Sequence, residues 1–184
     1  NIRQVQILLY DASNIVRFSD VVTPTAGNTT FTYTDVPAGT YTMVAIANAK
    51  SSADAINTYL DGGTTPVEWG MWNVRQKQVQ NMVMKYKTGT FPAFCSAALA
   101  GNTAYTEPAE IFMGAVPNVV ISSDATATPS PIALKREVSL MRVRLNVKDK
   151  EGNTNNENTA KGVDFTQDAS IMIYRLPDYL KVMA

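Results

Sequence analysis

Apolar and polar positions alternate with a period of two through much of the chain, the spacing of strands with one buried face. The clearest stretch is residues 29–48, TTFTYTDVPAGTYTMVAIAN. Phe31 and Tyr33 alternate with threonines. Pro37 presets φ for a turn and Gly39 accepts φ > 0 without steric cost, so residues 36–39 predict a tight reversal between adjacent antiparallel strands. The second strand, residues 40–47, places Tyr41, Met43, Ala45 and Ala47 on one side and Thr42, Val44 and Ile46 on the other. Both sides are largely apolar, which predicts a central strand covered on both faces.

The same pattern predicts a first strand over residues 2–10, with Val5, Ile7 and Leu9 facing one way and Gln4, Gln6, Leu8 and Tyr10 the other. Residues 11–14 form a turn, 15–18 resume pairing, and 21–28 form a loop carrying Pro24 and Gly27. A different texture follows. Residues 51–54 suit a helix start, Ala53, Ile56 and Leu60 share a helical face, and Gly62-Gly63 ends it. Asn73 can cap a second helix through Val79, Met82, Val83 and Tyr86, although these residues fit a strand as well. Strand texture returns beyond Pro108, in residues 111–113 and 116–122. In residues 132–147, Met141, Val143, Leu145 and Val147 alternate with Leu140, Arg142, Arg144 and Asn146. A polar loop occupies residues 148–161, and Ala169, Ile171 and Ile173 alternate with Ser170, Met172 and Tyr174. The pattern predicts a mainly β chain, a β-sandwich with a short helical or irregular insertion, forming a single domain over 1–184.

Composition narrows the function classes. The 16 basic and 16 acidic residues cancel, so no basic face for nucleic acid is expected. No apolar run approaches the roughly 18 residues of a membrane span. The chain starts at Asn1 without an initiator Met and is expected to be processed. The single cysteine, Cys95, and the lack of histidine exclude an intramolecular disulfide, a Cys/His zinc site, and the Ser-His-Asp and Cys-His mechanisms. Cys95 reads as a small buried hydrophobe, with a reactive thiol as the alternative. Abundant Thr, Asn and Ser, with only 17% charged residues, suit an extracellular β protein.

Paired carboxylates are the one catalytic device left. Asp54, Asp61 and Glu68 fall in one segment and Glu107 and Glu110 in another, none in a motif; Glu107 and Asp61 are the least poor candidates. There is no phosphate-binding glycine loop, and residues 153–158 lack the Asp ladder of a calcium loop. No enzyme activity, cofactor or metal is expected. Trp69 and Trp72 either form a surface pair for sugars or a partner, or plug one end of the core.

Three stretches resemble the Bacteroidia-type fimbrial subunit family: VQILLYD (5–11) with VPAGTYTMVAIAN (36–48), PAEIFMG (108–114), and IALKREVSLMRVRLNV (132–147). Met113 stands where that family usually has an aromatic, and Leu134 and Arg136 occupy matching places in the third stretch. The resemblance implies a transthyretin-like Greek-key sandwich, the N-terminal domain of a two-domain subunit of the shaft, tip or anchor of a surface fimbrium. It implies other fimbrial subunits and host or bacterial surface receptors as partners. It also implies a place at the cell surface or outer membrane, with membrane attachment only through a lipid anchor outside this chain. Such subunits assemble when a strand from one fills a groove in the next. Because terminal strands often lie at sheet edges, Val5, Ile7, Leu9, Ile171 and Ile173 are the expected border of that groove, the alternative being that both strands are ordinary core strands. A stand-alone surface module binding glycan or protein through Trp69 and Trp72 is the alternative.

Overall fold

The computed structural model describes residues 2–25, 29–49, 56–90, 100–101, 103–106, 110–137, 147–148, 154–155 and 179–182. Its contacts divide the chain into two compact units, Asn1–Lys87 with Thr106–Val138 and Pro177–Ala184, and Thr88–Tyr105 with Ser139–Leu176. The first unit is a β-sandwich. One antiparallel sheet contains β1 (Val5–Tyr10), β2 (Val16–Val22), β3 (Gly39–Ala47), β6 (Phe112–Ile121) and β7 (Lys135–Arg136), in the order β2-β1-β3-β6-β7. The other contains β4 (Ile56–Tyr59), β5 (Val83–Tyr86) and β10 (Tyr179–Lys181), in the order β10-β5-β4. In the second unit, β8 (Val147–Lys148) pairs with β9 (Thr154–Asn155).

The expected central strand is present. β3 lies between β1 and β6, and Tyr41 and Ile46 are both buried. Alternation splits β1 and β3 between two cores. Leu8, Val44 and Ile46 enter a large cluster with Ile56, Trp69, Val74, Val79, Met82 and Met84, which holds the two sheets together. Leu9 and Tyr41 enter a smaller cluster with Phe18, to which Ile7, Met43, Tyr33 and Val36 add partial cover. Each fully covered aliphatic side chain contributes roughly 1.5–3 kcal/mol.

Three sequence expectations need correction. Residues 29–38 are not a strand, and residues 36–39 do not join neighbouring strands: β3 is flanked by β1 and β6 instead. Tyr33 and Val36 use their apolar surface to cover the second face of the sheet. The expected helix through Ile56 and Leu60 is strand β4, where β-branched Ile56 and Thr58 are fully buried; residues 51–55 lie outside the described set. Residues 73–89 take the strand alternative. Gln76, at φ +65°, interrupts any helix, leaving a 3-10 turn at Val79–Asn81 before β5.

The motif over residues 36–48 has a local physical basis. The Tyr41 ring folds back so that its hydroxyl donates to the carbonyls of Pro37 (3.0 Å) and Ala38 (3.3 Å). A Cβ on Gly39 would lie 2.7 Å from that hydroxyl oxygen, so the approach requires glycine. Asn48 ends β3 at φ +63°, a conformation asparagine tolerates. Its Oδ1 accepts from the Arg3 amide (2.8 Å), and its Nδ2 donates to the Glu110 carbonyl (2.8 Å), tying the start of the chain to the approach to β6.

Candidate functional site

The site begins with the backbone groups at the sheet edges, because an unpaired edge is where another chain can add. On β2 these groups are engaged. The Asn14 carbonyl accepts from Val79 N–H (2.8 Å), Val16 N–H donates to Lys77 (2.9 Å), and the Val16 carbonyl accepts from Gln76 N–H (2.8 Å). Farther along, the Ser19 carbonyl accepts from the Arg75 guanidinium (3.1 Å), and Val21 N–H donates to the Asp20 carboxylate (2.8 Å). β4 is covered too: the Thr58 carbonyl accepts from Val67 N–H (2.8 Å), the Thr58 hydroxyl donates to the Val67 carbonyl (2.6 Å), and Tyr59 bridges to Pro66.

The opposite margin of the sandwich is different. Among the described residues, β7 pairs with β6 at Phe112 and Met113, and the Glu137 N–H donates to the Ile111 carbonyl (2.8 Å). Ala133 then runs so close over Gly114 that a Cβ there would meet the Ala133 carbonyl at 2.4 Å. From Ala115 to Ile121, the outer side of β6 has no strand partner among the described residues. Pro117, which lacks an N–H, and Asn118, at φ +58°, fall where a bulge interrupts the register with β3. Beside it opens a cleft of about 440 Å³. Val44 and Val182 form its core-side lining, Met113, Gly114 and Val116 line it from β6, and Ala133 lines it from the next segment. The exposed Lys135 and Glu137 add one charge of each sign. The lining mixes apolar side chains with polar surface, which an extended peptide can meet with alternate side chains and its backbone.

Three of the expected groove residues are described. Val5, Ile7 and Leu9 are on β1, which is paired by both β2 and β3 and so is internal rather than at an edge. None of the three lines the cleft. Ile171 and Ile173 lie outside the described residues, as do Cys95, Glu107 and the alternating Arg142 and Arg144. The small pair Gly114-Ala115 and the edge-favouring Pro117 were the sequence signals for the cleft.

The two tryptophans separate. Trp69 is buried, and its indole N–H donates to the Tyr59 carbonyl (3.0 Å). Trp72 is 69% exposed, with the Arg75 guanidinium 4.3 Å over its ring. They therefore make no shared surface platform. Asp61 organises a turn by accepting from the amides of Gly63 (3.2 Å), Thr64 (2.9 Å) and Thr65 (2.9 Å). The Thr64 amide is the main influence holding its carboxyl below the usual range. Glu110 pairs with Arg136 at 2.5 Å. These carboxylates thus have structural partners, and no group of three or more Cys, Asp or Glu side chains is placed to hold a metal among the described residues.

The family model for fimbrillin-A associated anchor proteins Mfa1 and Mfa2 matches residues 1–183. The chain belongs to that family. Apart from Val147 on β8, the residues of the fimbrial motifs that form described strands lie on β1, β3, β6 and β7, within the main sheet and one wall of the cleft. The chain is also similar to a Bacteroides thetaiotaomicron protein proposed to bind polysaccharide, at 18% identity and a TM-score of 0.46, over 74% of this chain and 40% of that one. A proposed adhesin from Bacteroides ovatus is similar at 18% identity and a TM-score of 0.45, over 73% and 39% of the two chains. This chain therefore spans about two fifths of each of those proteins. No curated protein matches it.

Proposed function

We propose that this chain is a non-enzymatic structural subunit of a cell-surface fimbrium, acting in adhesion, and that an extended strand of a neighbouring subunit enters the cleft beside β6. The asymmetry of the sandwich carries this reading: β2 and β4 are capped, whereas β6 borders a cleft that reaches core residues Val44 and Val182. An incoming strand would gain apolar burial along the cleft and hydrogen bonds from available edge groups. Family membership supports the fimbrial setting. In this proposal the chain forms the transthyretin-like N-terminal domain of a two-domain subunit at the outer membrane. The cleft replaces the border of Val5, Ile7 and Leu9 as the acceptor, because β1 is internal.

The second reading is a surface module that binds glycan or protein at Trp72. Its supporting observation is the exposed indole held in one orientation by Arg75.

A binding experiment separates the readings. The immobilised chain is exposed to fimbrial subunits purified from the parent bacterium and to a glycan array. The cleft reading expects subunit capture, lost by at least roughly tenfold in Ala115→Glu and Ala133→Glu and retained in Trp72→Ala. Both alanines are exposed, so the variants are expected to fold; circular dichroism checks this. Loss only in Trp72→Ala would favour the surface module. Undiminished capture by folded cleft variants would remove the cleft assignment.

A further inference from the structure

We infer that residues 71–79 are an edge guard, which prevents β2 from pairing with β2 of a second copy of this chain. The inference stands independently of the cleft. Residues 76–79 follow the first part of β2 as a strand would: Ile15 and Gln78 form an antiparallel bridge, and three backbone hydrogen bonds join Asn14 and Val16 to Gln76, Lys77 and Val79. The imitation ends at Gln76, whose φ of +65° turns the backbone away from extended structure. Arg75 continues the cap with its side chain, donating to the Ser19 carbonyl at 3.1 Å. A guanidinium can satisfy a carbonyl yet cannot extend a strand ladder.

Arg75 is held for this task from several sides. Its guanidinium lies 4.9 Å from the Phe18 ring centroid and 4.3 Å from that of Trp72, with Asp35 at 3.8 Å. Trp72 thereby covers the guard from outside while remaining 69% exposed itself. Past Ser19, the Asp20 carboxylate takes the Val21 N–H and adds negative charge to the edge. Capping and charge are two devices by which sheets avoid edge-to-edge association. Without them, β2 offers a self-complementary antiparallel edge, which two copies can share through a two-fold axis.

The test is self-association by sedimentation velocity over a wide concentration range, comparing the wild-type chain, Arg75→Ala, Arg75→Ala/Val21→Pro and Leu9→Ala. The guard predicts a monomeric wild type and a dimer dissociation constant at least about tenfold lower in Arg75→Ala. Val21→Pro places a ring on the outer side of β2, where a second strand would have to approach, and proline is compatible with an edge strand, so the double variant should return to monomer. Leu9→Ala weakens the core without uncapping β2 and should remain monomeric. A folded Arg75→Ala chain that stays as monomeric as wild type overturns the inference. So does equal association by Arg75→Ala and its Val21→Pro derivative, or by Leu9→Ala. If Arg75→Ala does not fold, hydrogen exchange on the wild-type chain decides: the Val16 and Val79 amides should be protected, and exchange as fast as in exposed loops overturns the guard.

Discussion

Leu8 and Leu9 are adjacent in sequence and point to opposite faces of one sheet, where they meet different kinds of cover. Leu8 enters a cluster closed by a second sheet, with Ile56 and Met84 facing Val44 and Ile46. Leu9 meets Phe18 and Tyr41 beneath an irregular segment that contributes Tyr33 and Val36. The first face is held by broad apolar packing between regular elements. The second depends on individual contacts: the edge-on Phe18–Tyr33 pair at 4.9 Å, the Tyr41 hydroxyl on the Pro37 carbonyl, and Arg75 over Phe18. An apolar strand face specifies that cover is needed without specifying a sheet as the cover.

Truncation gives the largest expected effect. Leu8→Ala should cost toward the upper end of about 2–5 kcal/mol, because two sheets fix the cavity's walls; Leu9→Ala should fall toward the lower end, since residues 31–36 can settle inward. Urea denaturation checks the pair, and a greater loss in Leu9→Ala would break the comparison. The tryptophans sharpen it. Trp69→Phe loses the indole hydrogen bond to the Tyr59 carbonyl and should cost about 1–3 kcal/mol, whereas Trp72→Ala should cost about 1 kcal/mol or less. Thermal melts showing Trp72 as the costlier site would contradict their placement.

Tyr41→Phe keeps the ring and removes the bond to Pro37, an expected loss of about 0.5–1.5 kcal/mol. No measurable change would mean that ring packing alone holds residues 36–39 over the second face.

The smallest effect is a pH dependence at the β1–β2 turn. Burial raises the Asp11 pKa, but hydrogen bonds from Arg17 and the Ile15 and Ser13 amides, with the Arg17 charge, outweigh it and lower the value. A folded value below the unfolded one means that the contribution is present above the ordinary carboxylate pKa and lost as pH falls through the folded value. Acid titration of Asp11→Asn should therefore show a shallower loss of stability over that window than wild type; parallel curves would assign the acid limb to other groups.

Period-two alternation by itself determined the mainly β class, the apolar strand at 40–47 and the two-sided character of β1 and β3, because side-chain direction follows from local strand geometry. The stretch carrying Gly39 and Tyr41 was visible in the sequence, but Gly39 serves the close approach of the Tyr41 ring rather than the positive-φ turn expected of it, and the φ of +63° at Asn48 emerged only in the structure. Tertiary structure decided that residues 31–36 form cover rather than a strand, that Ile56 begins β4, and that Trp69 is internal while Trp72 remains outside. It also decided that a strand near the start of the chain lies inside the sheet. Strand order and edge capping depend on residues far apart in sequence: Arg75 reaches Ser19, and Val182 meets Val44. Alternation records which side chains seek burial, but it carries no address for the backbone or side chain that meets them.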